Sequence, residues 1–154
     1  MAYVRTDNGT MLAYQHAYHA GNFADVHKHL VLFALLQKIR QKSSAITYVD
    51  SHAGRGDYPL DAAETQKLQE YQRGALPLWQ ARRKLGAANP LLHDWLGALG
   101  RAQRKKCQQL VRYPGSPWWL AEAIRDQDRL SLFELHPGEH QYLENQSLPA
   151  NSRR

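Results

Sequence analysis

The sequence predicts an α/β domain, and three observations carry that prediction. Two apolar runs, "AITYVD" at 45–50 and "RLSLFELHP" at 129–137, each close on an acid, Asp50 and Glu134. A strongly apolar segment with helical spacing precedes the first run. The stretch between the runs is rich in Ala, Leu, Gln, Lys and Arg and carries no strand pattern. With 154 residues, 43% of them hydrophobic, the chain suffices for one domain with a core of its own.

The first element is a helix over about 22–42. Asn22 can cap it, Asp25 sits in its first turn, and Val26, Leu30, Phe33, Leu36 and Ile39 recur at helical spacing, while Lys38, Arg40 and Lys42 crowd the last turn. The strand at about 46–50 follows. It lacks polar alternation, so it is expected to be buried on both faces, as in a parallel sheet. From Asp61 to about Arg112 the chain reads as two or three helices, broken near Pro77, Asn89 and Pro90. "YPGSPWWLAEAIRDQD" then restarts a helix, with Ser116 as cap and Pro117 at its first position. Trp118 and Trp119 follow the cap directly and are read as packing residues. The second strand, at about 130–134, is expected beside the first and parallel to it. The polar tail after Pro137, ending "NQSLPANSRR", is expected to fray.

Two strands that finish on carboxylates suggest one side of one ligand, because open parallel sheets bind ligands beyond the carboxyl ends of their strands. The turn after the first strand, "HAGRGDY", has G-x-G but not the third glycine of a dinucleotide fingerprint, and no G-K-[ST] of a phosphate loop occurs. A ligand gripped through ribose hydroxyls by carboxylate suits these residues better than one held by its phosphates. S-adenosyl-L-methionine has that chemistry.

Composition bounds the setting. Lys plus Arg exceed Asp plus Glu by 20 to 14, a formal charge of +6, and the sequence pI is near 9.6. Much of the excess lies in "QARRKL" and "GRAQRKKCQQLVR", a surface that attracts polyanions. No run approaches the roughly 18 apolar residues of a membrane span, and no secretory signal is evident, which leads to a cytoplasmic expectation. The single cysteine, Cys107, excludes an internal disulfide. His16, His19, Asp25, His27 and His29 lie close enough in sequence to raise a metal-dependent nuclease as an alternative, though no H-E-x-x-H accompanies them and His27 and His29 diverge by about 200° on a helix. A non-catalytic nucleic-acid-binding fragment is the other alternative.

Four strings in order, "YQHAYHAGNFADVHKH", "YVDSHAGRGDY", "YPGSPWWLA" and "LFELHP", resemble the N-terminal half of the bacterial 23S rRNA adenine-N6 methyltransferase family, which is also associated with the use of external DNA. The likeness runs from about Met11 to about Tyr142. It implies a Rossmann-like class I methyltransferase sheet, here partial, with a helical insertion at about 61–112 after the first strand. It implies S-adenosyl-L-methionine as cofactor, contacted by His29, His52, Ser116 and Glu134, and 23S rRNA as partner, touched by Tyr14. Residues 1–10 read as an extension before the family's usual start. The family's Asp-Pro-Pro-Tyr motif, whose acid holds the adenine amino group, has no counterpart, since no Pro-Pro pair occurs. The expectation is therefore an incomplete domain, 11–154, whose catalytic acid lies outside this sequence.

Overall fold

The computed structural model describes residues 4–5, 11–12, 15–103 and 108–154. Tyr14 and Cys107 lie outside the described residues. In chain order the elements are β1 (Val4–Arg5), β2 (Met11–Leu12), α1 (Phe23–Ile39), β3 (Thr47–Asp50), β4 (Asp57–Pro59), α2 (Ala63–Leu68), α3 (Ala75–Gln80), α4 (Arg82–Ala88), α5 (Pro90–Ala102), β5 (Arg112–Pro114), α6 (Ser116–Ala123), β6 (Arg129–Leu132), α7 (Pro137–Glu144) and β7 (Ser152–Arg153). β1 pairs antiparallel with β2.

α1 starts where its cap chemistry dictates. The Asn22 side chain accepts from the Asp25 N–H at 2.9 Å, replacing one of the helix's missing backbone partners. The helix ends at Ile39, three residues short of the expected boundary.

β3, β6 and β7 form one parallel sheet in the order β3-β6-β7. Tyr48 lies opposite Leu130 and Asp50 opposite Leu132. β6 stops at Leu132, but the hydrogen bonds continue: Phe133 N–H donates to Asp50 O at 2.8 Å and Phe133 O accepts from Ala53 N–H at 3.0 Å. Glu134 follows just past the strand's end.

One apolar layer joins Leu36 of α1, Leu120 and Ala123 of α6 and Leu143 of α7 to Tyr48, Leu130 and Leu132. A second packs Trp79, Trp95, Leu96 and Leu99 of the insertion against Val26, Tyr113 and Trp119. Trp95 and Trp119 stack 5.7 Å apart at 7°. Trp118 also packs against this layer, partly buried, so both tryptophans act as packing residues.

Three expectations are corrected. β3 is covered on one face only: Tyr48 is buried, whereas Val49 is 64% and Phe133 57% exposed. The helices that touch the sheet all contribute to the layer over Tyr48, and no buried cluster among the described residues includes Val49 or Phe133. The tail does not fray. α7 begins at the His136 cap, Leu143 is fully buried, and the Asn151 side chain donates to Arg125 O and Asp128 O while β7 extends the sheet. A few well-placed contacts outweigh the polar composition there. The described residues of 61–112 hold four α-helices rather than two or three, interrupted where Gln69 turns left-handed (φ 50°) and at Ala81.

β4 and β5, antiparallel with Asp57 opposite Pro114, bring the two ends of the insertion together. Arg112 and Asp57 form an ion pair across them, and Leu60 N–H donates to Val111 O at 2.9 Å. No helix among the described residues is long and apolar enough to cross a membrane.

Candidate cofactor site

A cavity of about 450 Å³ opens beside the residues that follow β3 and β6. Its lining takes His29 from α1, His52 from the turn after β3, Ser116 from the start of α6 and Glu134 from the segment after β6. All four residues singled out from the sequence thus border one space. His16, Lys28, Gly54, Tyr58, Gly115 and His136 also border it. A separate cavity of about 350 Å³ between α1, α5 and α6 contains none of the four.

The glycine turn is what fixes the acid. Gly54 (φ +62°) and Gly56 (φ +78°) both adopt the left-handed backbone that side chains resist. This aims the Gly54 N–H at Glu134 Oε2, 2.7 Å away, while the His136 N–H donates to Oε1 at 2.7 Å. Each oxygen keeps a lone pair for a ligand. A methyl group at Gly54 would sit 2.3 Å from the Tyr58 hydroxyl. Gly54→Ala is therefore expected to cost about 1–3 kcal/mol from backbone strain alone, before the clash is counted, and urea denaturation will read the loss.

The two strand-end acids have different fates. Asp50 is absent from the cavity lining; its Oδ1 accepts from His52 N–H at 3.1 Å, and its buried Oδ2 has no hydrogen-bond partner among the described residues. Sequence symmetry suggested a pair of ligand carboxylates, but only Glu134 borders the space. His52 is exposed, with Nδ1 2.9 Å from Ser51 Oγ.

Ser116 does not cap α6. Gly115 occupies the N-cap, with Ser116 first and Pro117 second in the helix, and the cap makes no side-chain hydrogen bond. The Gly115 N–H donates to Gly56 O at 2.9 Å, tying the helix start to the glycine turn. The seryl hydroxyl is thus not spent on the helix end.

His29 is 2% exposed, with Nδ1 3.1 Å from the Tyr113 hydroxyl. Burial pushes its pKa down to about 3, an effect that Asp25 opposes and Lys28 and His16 reinforce. Burial also holds the Tyr113 hydroxyl well above its ordinary value of 10. At neutral pH the imidazole is uncharged and the phenol keeps its proton, a neutral hydrogen-bonded pair in the cavity wall.

The turn is braced from below. Arg55 Nε donates to Glu139 Oε2 at 2.8 Å and Nη2 to Oε1 at 2.6 Å, with both residues at most 5% exposed. The guanidinium also lies 4.4 Å from the Tyr142 ring centroid. No local sequence signal could reveal a pair 84 residues apart. His27 is exposed, and no group of three or more metal-ligating side chains is found among the described residues.

A family model described as "Ribosomal RNA large subunit methyltransferase D, RlmJ" matches residues 43–153. The chain belongs to this methyltransferase family. It is 37% identical over 137 residues to ribosomal RNA large subunit methyltransferase J of Haemophilus influenzae, covering 88% of the chain and 46% of that protein. Its identity to the protein of the same name from Escherichia coli is 36% over 136 residues, with the same coverage. Among solved structures, protein LPL1258 of Legionella pneumophila superposes with a TM-score of 0.74 at 37% identity, over 84% of the chain and 45% of that structure. The chain thus spans about half the length of the methyltransferase-family relatives it matches.

Proposed function

We propose that this chain carries the cofactor-binding part of a Rossmann-like, S-adenosyl-L-methionine-dependent methyltransferase that modifies adenine N6 in 23S rRNA. The observation that carries the reading is the Glu134 carboxylate, fixed by two backbone N–H groups in the same cavity as His29, His52 and Ser116. The cofactor supplies an activated methyl group on sulfur. Glu134 accepts from the two ribose hydroxyls. We assign the proton of the 3.1 Å contact between the Tyr113 hydroxyl and His29 Nδ1 to the phenol, which leaves the imidazole proton on Nε2, the atom we assign to the methionyl carboxylate. Ser116 offers its hydroxyl and His52 closes the mouth. Tyr14 and the basic insertion are assigned to the RNA, with base stacking and phosphate contacts as their roles.

Titration of residues 1–154 with S-adenosylhomocysteine tests this reading. Glu134→Ala is expected to weaken binding by about 1.5–3 kcal/mol, the range for a hydrogen bond to a charged group. Unchanged affinity in that variant, or no binding by the unmodified chain, would overturn the assignment.

One observation favours a second reading, RNA binding without methyl transfer by residues 1–154: the formal charge of +6, which attracts polyanions whatever their sequence. Incubation with labelled cofactor and unmodified 23S rRNA separates the two. Turnover above a heat-treated control would exclude binding alone.

A further inference from the structure

Asp25 contributes nothing to the functions assigned so far, yet it is among the most carefully satisfied groups in the molecule. It lies in the first turn of α1, 1% exposed, and it is not part of the cavity lining. Its Oδ2 accepts from His16 Nε2 at 2.7 Å and from the Gly21 N–H at 3.0 Å, and its Oδ1 faces Lys28 Nζ at 2.9 Å. The backbone N–H of Asp25 is itself taken by the Asn22 cap. His16 and Lys28, the two side chains it holds, both border the cavity beside His29.

That arrangement is not one that stability alone selects. The Lys28 side chain is 60% exposed, so its ion pair by itself adds little to the fold, and an untethered lysine would sample many rotamers. Burying a carboxylate costs free energy unless its partners are in place. The outcome of bearing that cost is geometric: a mobile ammonium and an imidazole from a different segment are brought to one wall of the cavity.

We propose that Asp25 is a positioning residue for the aminocarboxylate end of the cofactor, acting by holding His16 and Lys28 as a clamp while touching no ligand atom itself. The inference rests on the cofactor reading above. Lys28 supplies the positive charge that neutral His29 lacks, and Asp25 sets where that charge stands. The carboxylate of Glu134, bound to backbone N–H groups elsewhere in the lining, serves the ribose and lies outside the clamp.

The test compares two ligands on residues 1–154 by calorimetry. S-adenosylhomocysteine carries the aminocarboxylate; 5′-methylthioadenosine has the same nucleoside and sulfur without it. Asp25→Asn keeps an acceptor for Gly21 but loses the charge. It is expected to raise the Kd of S-adenosylhomocysteine by about tenfold or more, and to leave methylthioadenosine within about twofold. Lys28→Met should reproduce this selective loss, and adding it to Asp25→Asn should weaken binding little further, because both act on one clamp. If circular dichroism shows Asp25→Asn unfolded, Asp25→Glu decides in its place: it keeps the charge but displaces it by one methylene, and the same selective loss is expected. Equal weakening of both ligands, or no change in either, overturns the positioning role while the cofactor reading stands. Failure of the unmodified chain to bind either ligand overturns both.

Discussion

Arg55→Ala is expected to destabilise the fold by about 3–5 kcal/mol, the largest single-residue effect we foresee, because it leaves the Glu139 charge buried without its partner. Both groups are nearly inaccessible to water, so solvent cannot replace the lost guanidinium. The substitution also removes the contact with the Tyr142 ring and unties the glycine turn from α7. Urea denaturation at neutral pH measures the loss. The double variant Arg55→Met with Glu139→Leu should recover most of it, since replacing a whole buried ion pair by apolar groups is often neutral. A double variant as unstable as Arg55→Ala would mean that the pair's geometry, not its uncompensated charge, sets the cost. Arg55→Lys should fall between, because an ammonium cannot reproduce the two-point contact.

Acidification is expected to begin destabilising the protein just below pH 6.5. His29 is held near 3 in the folded state by burial, against 6.5 when unfolded, so the unfolded chain binds the extra proton across the interval between. Stability therefore rises with pH through that window: the contribution is complete above about 6.5 and is lost on acidification toward 3. One such group gives a slope approaching about 1.4 kcal/mol per pH unit, or roughly 1.5–2 kcal/mol lost between pH 6.5 and 5. Asp25 acts in the same direction at lower pH. Burial alone would raise its pKa, but the hydrogen bond from His16 and the nearby positive charges hold it below its ordinary value of 3.8, so its contribution persists above about pH 4 and fades below. Denaturation curves from pH 7.5 to 4.5 should show the slope, and His29→Gln should flatten it above pH 5. An unaltered slope in that variant would place the titrating group elsewhere.

The contrast between what the chain announces and what it conceals follows from the range of each interaction. α1 was legible because its cap, first-turn acid and apolar spacing are all local. The parallel pairing of β3 with β6 was legible because both runs are apolar and end alike. The coverage of the sheet was not: an apolar run states what a strand can bury, and Val49 is available for burial but lies bare. β4 and β5 escaped notice because each has three residues and contains a proline, Pro59 or Pro114, too short for any alternation to register. Of the site, His29, His52 and Ser116 were found through motif resemblance, whereas Glu134 was also marked by its place at the end of an apolar run. The supports, Arg55 with Glu139 and Asp25 with His16, unite distant or unremarkable positions and became visible only once the chain was folded. His136 followed by Pro137 did carry a cap signal that the polar character of the tail obscured.

The β4–β5 clasp fixes the place where the insertion leaves and rejoins the rest of the fold. Because Asp57 and Pro114 are neighbours whatever lies between them, the excursion of α2 to α5 leaves and returns through a single doorway. Closing a loop depends only logarithmically on its length, so doubling the excursion would add about 0.6 kcal/mol to the closure cost. The insertion is thus a cassette on its outer side only: Trp79, Trp95 and Leu99 share a core with Val26 and Trp119, but its charged outer surface can be exchanged without moving Gly56 or Gly115, the two glycines joined at its threshold. Recognition of a partner can drift in the cassette while the cavity wall beside the doorway stays in register.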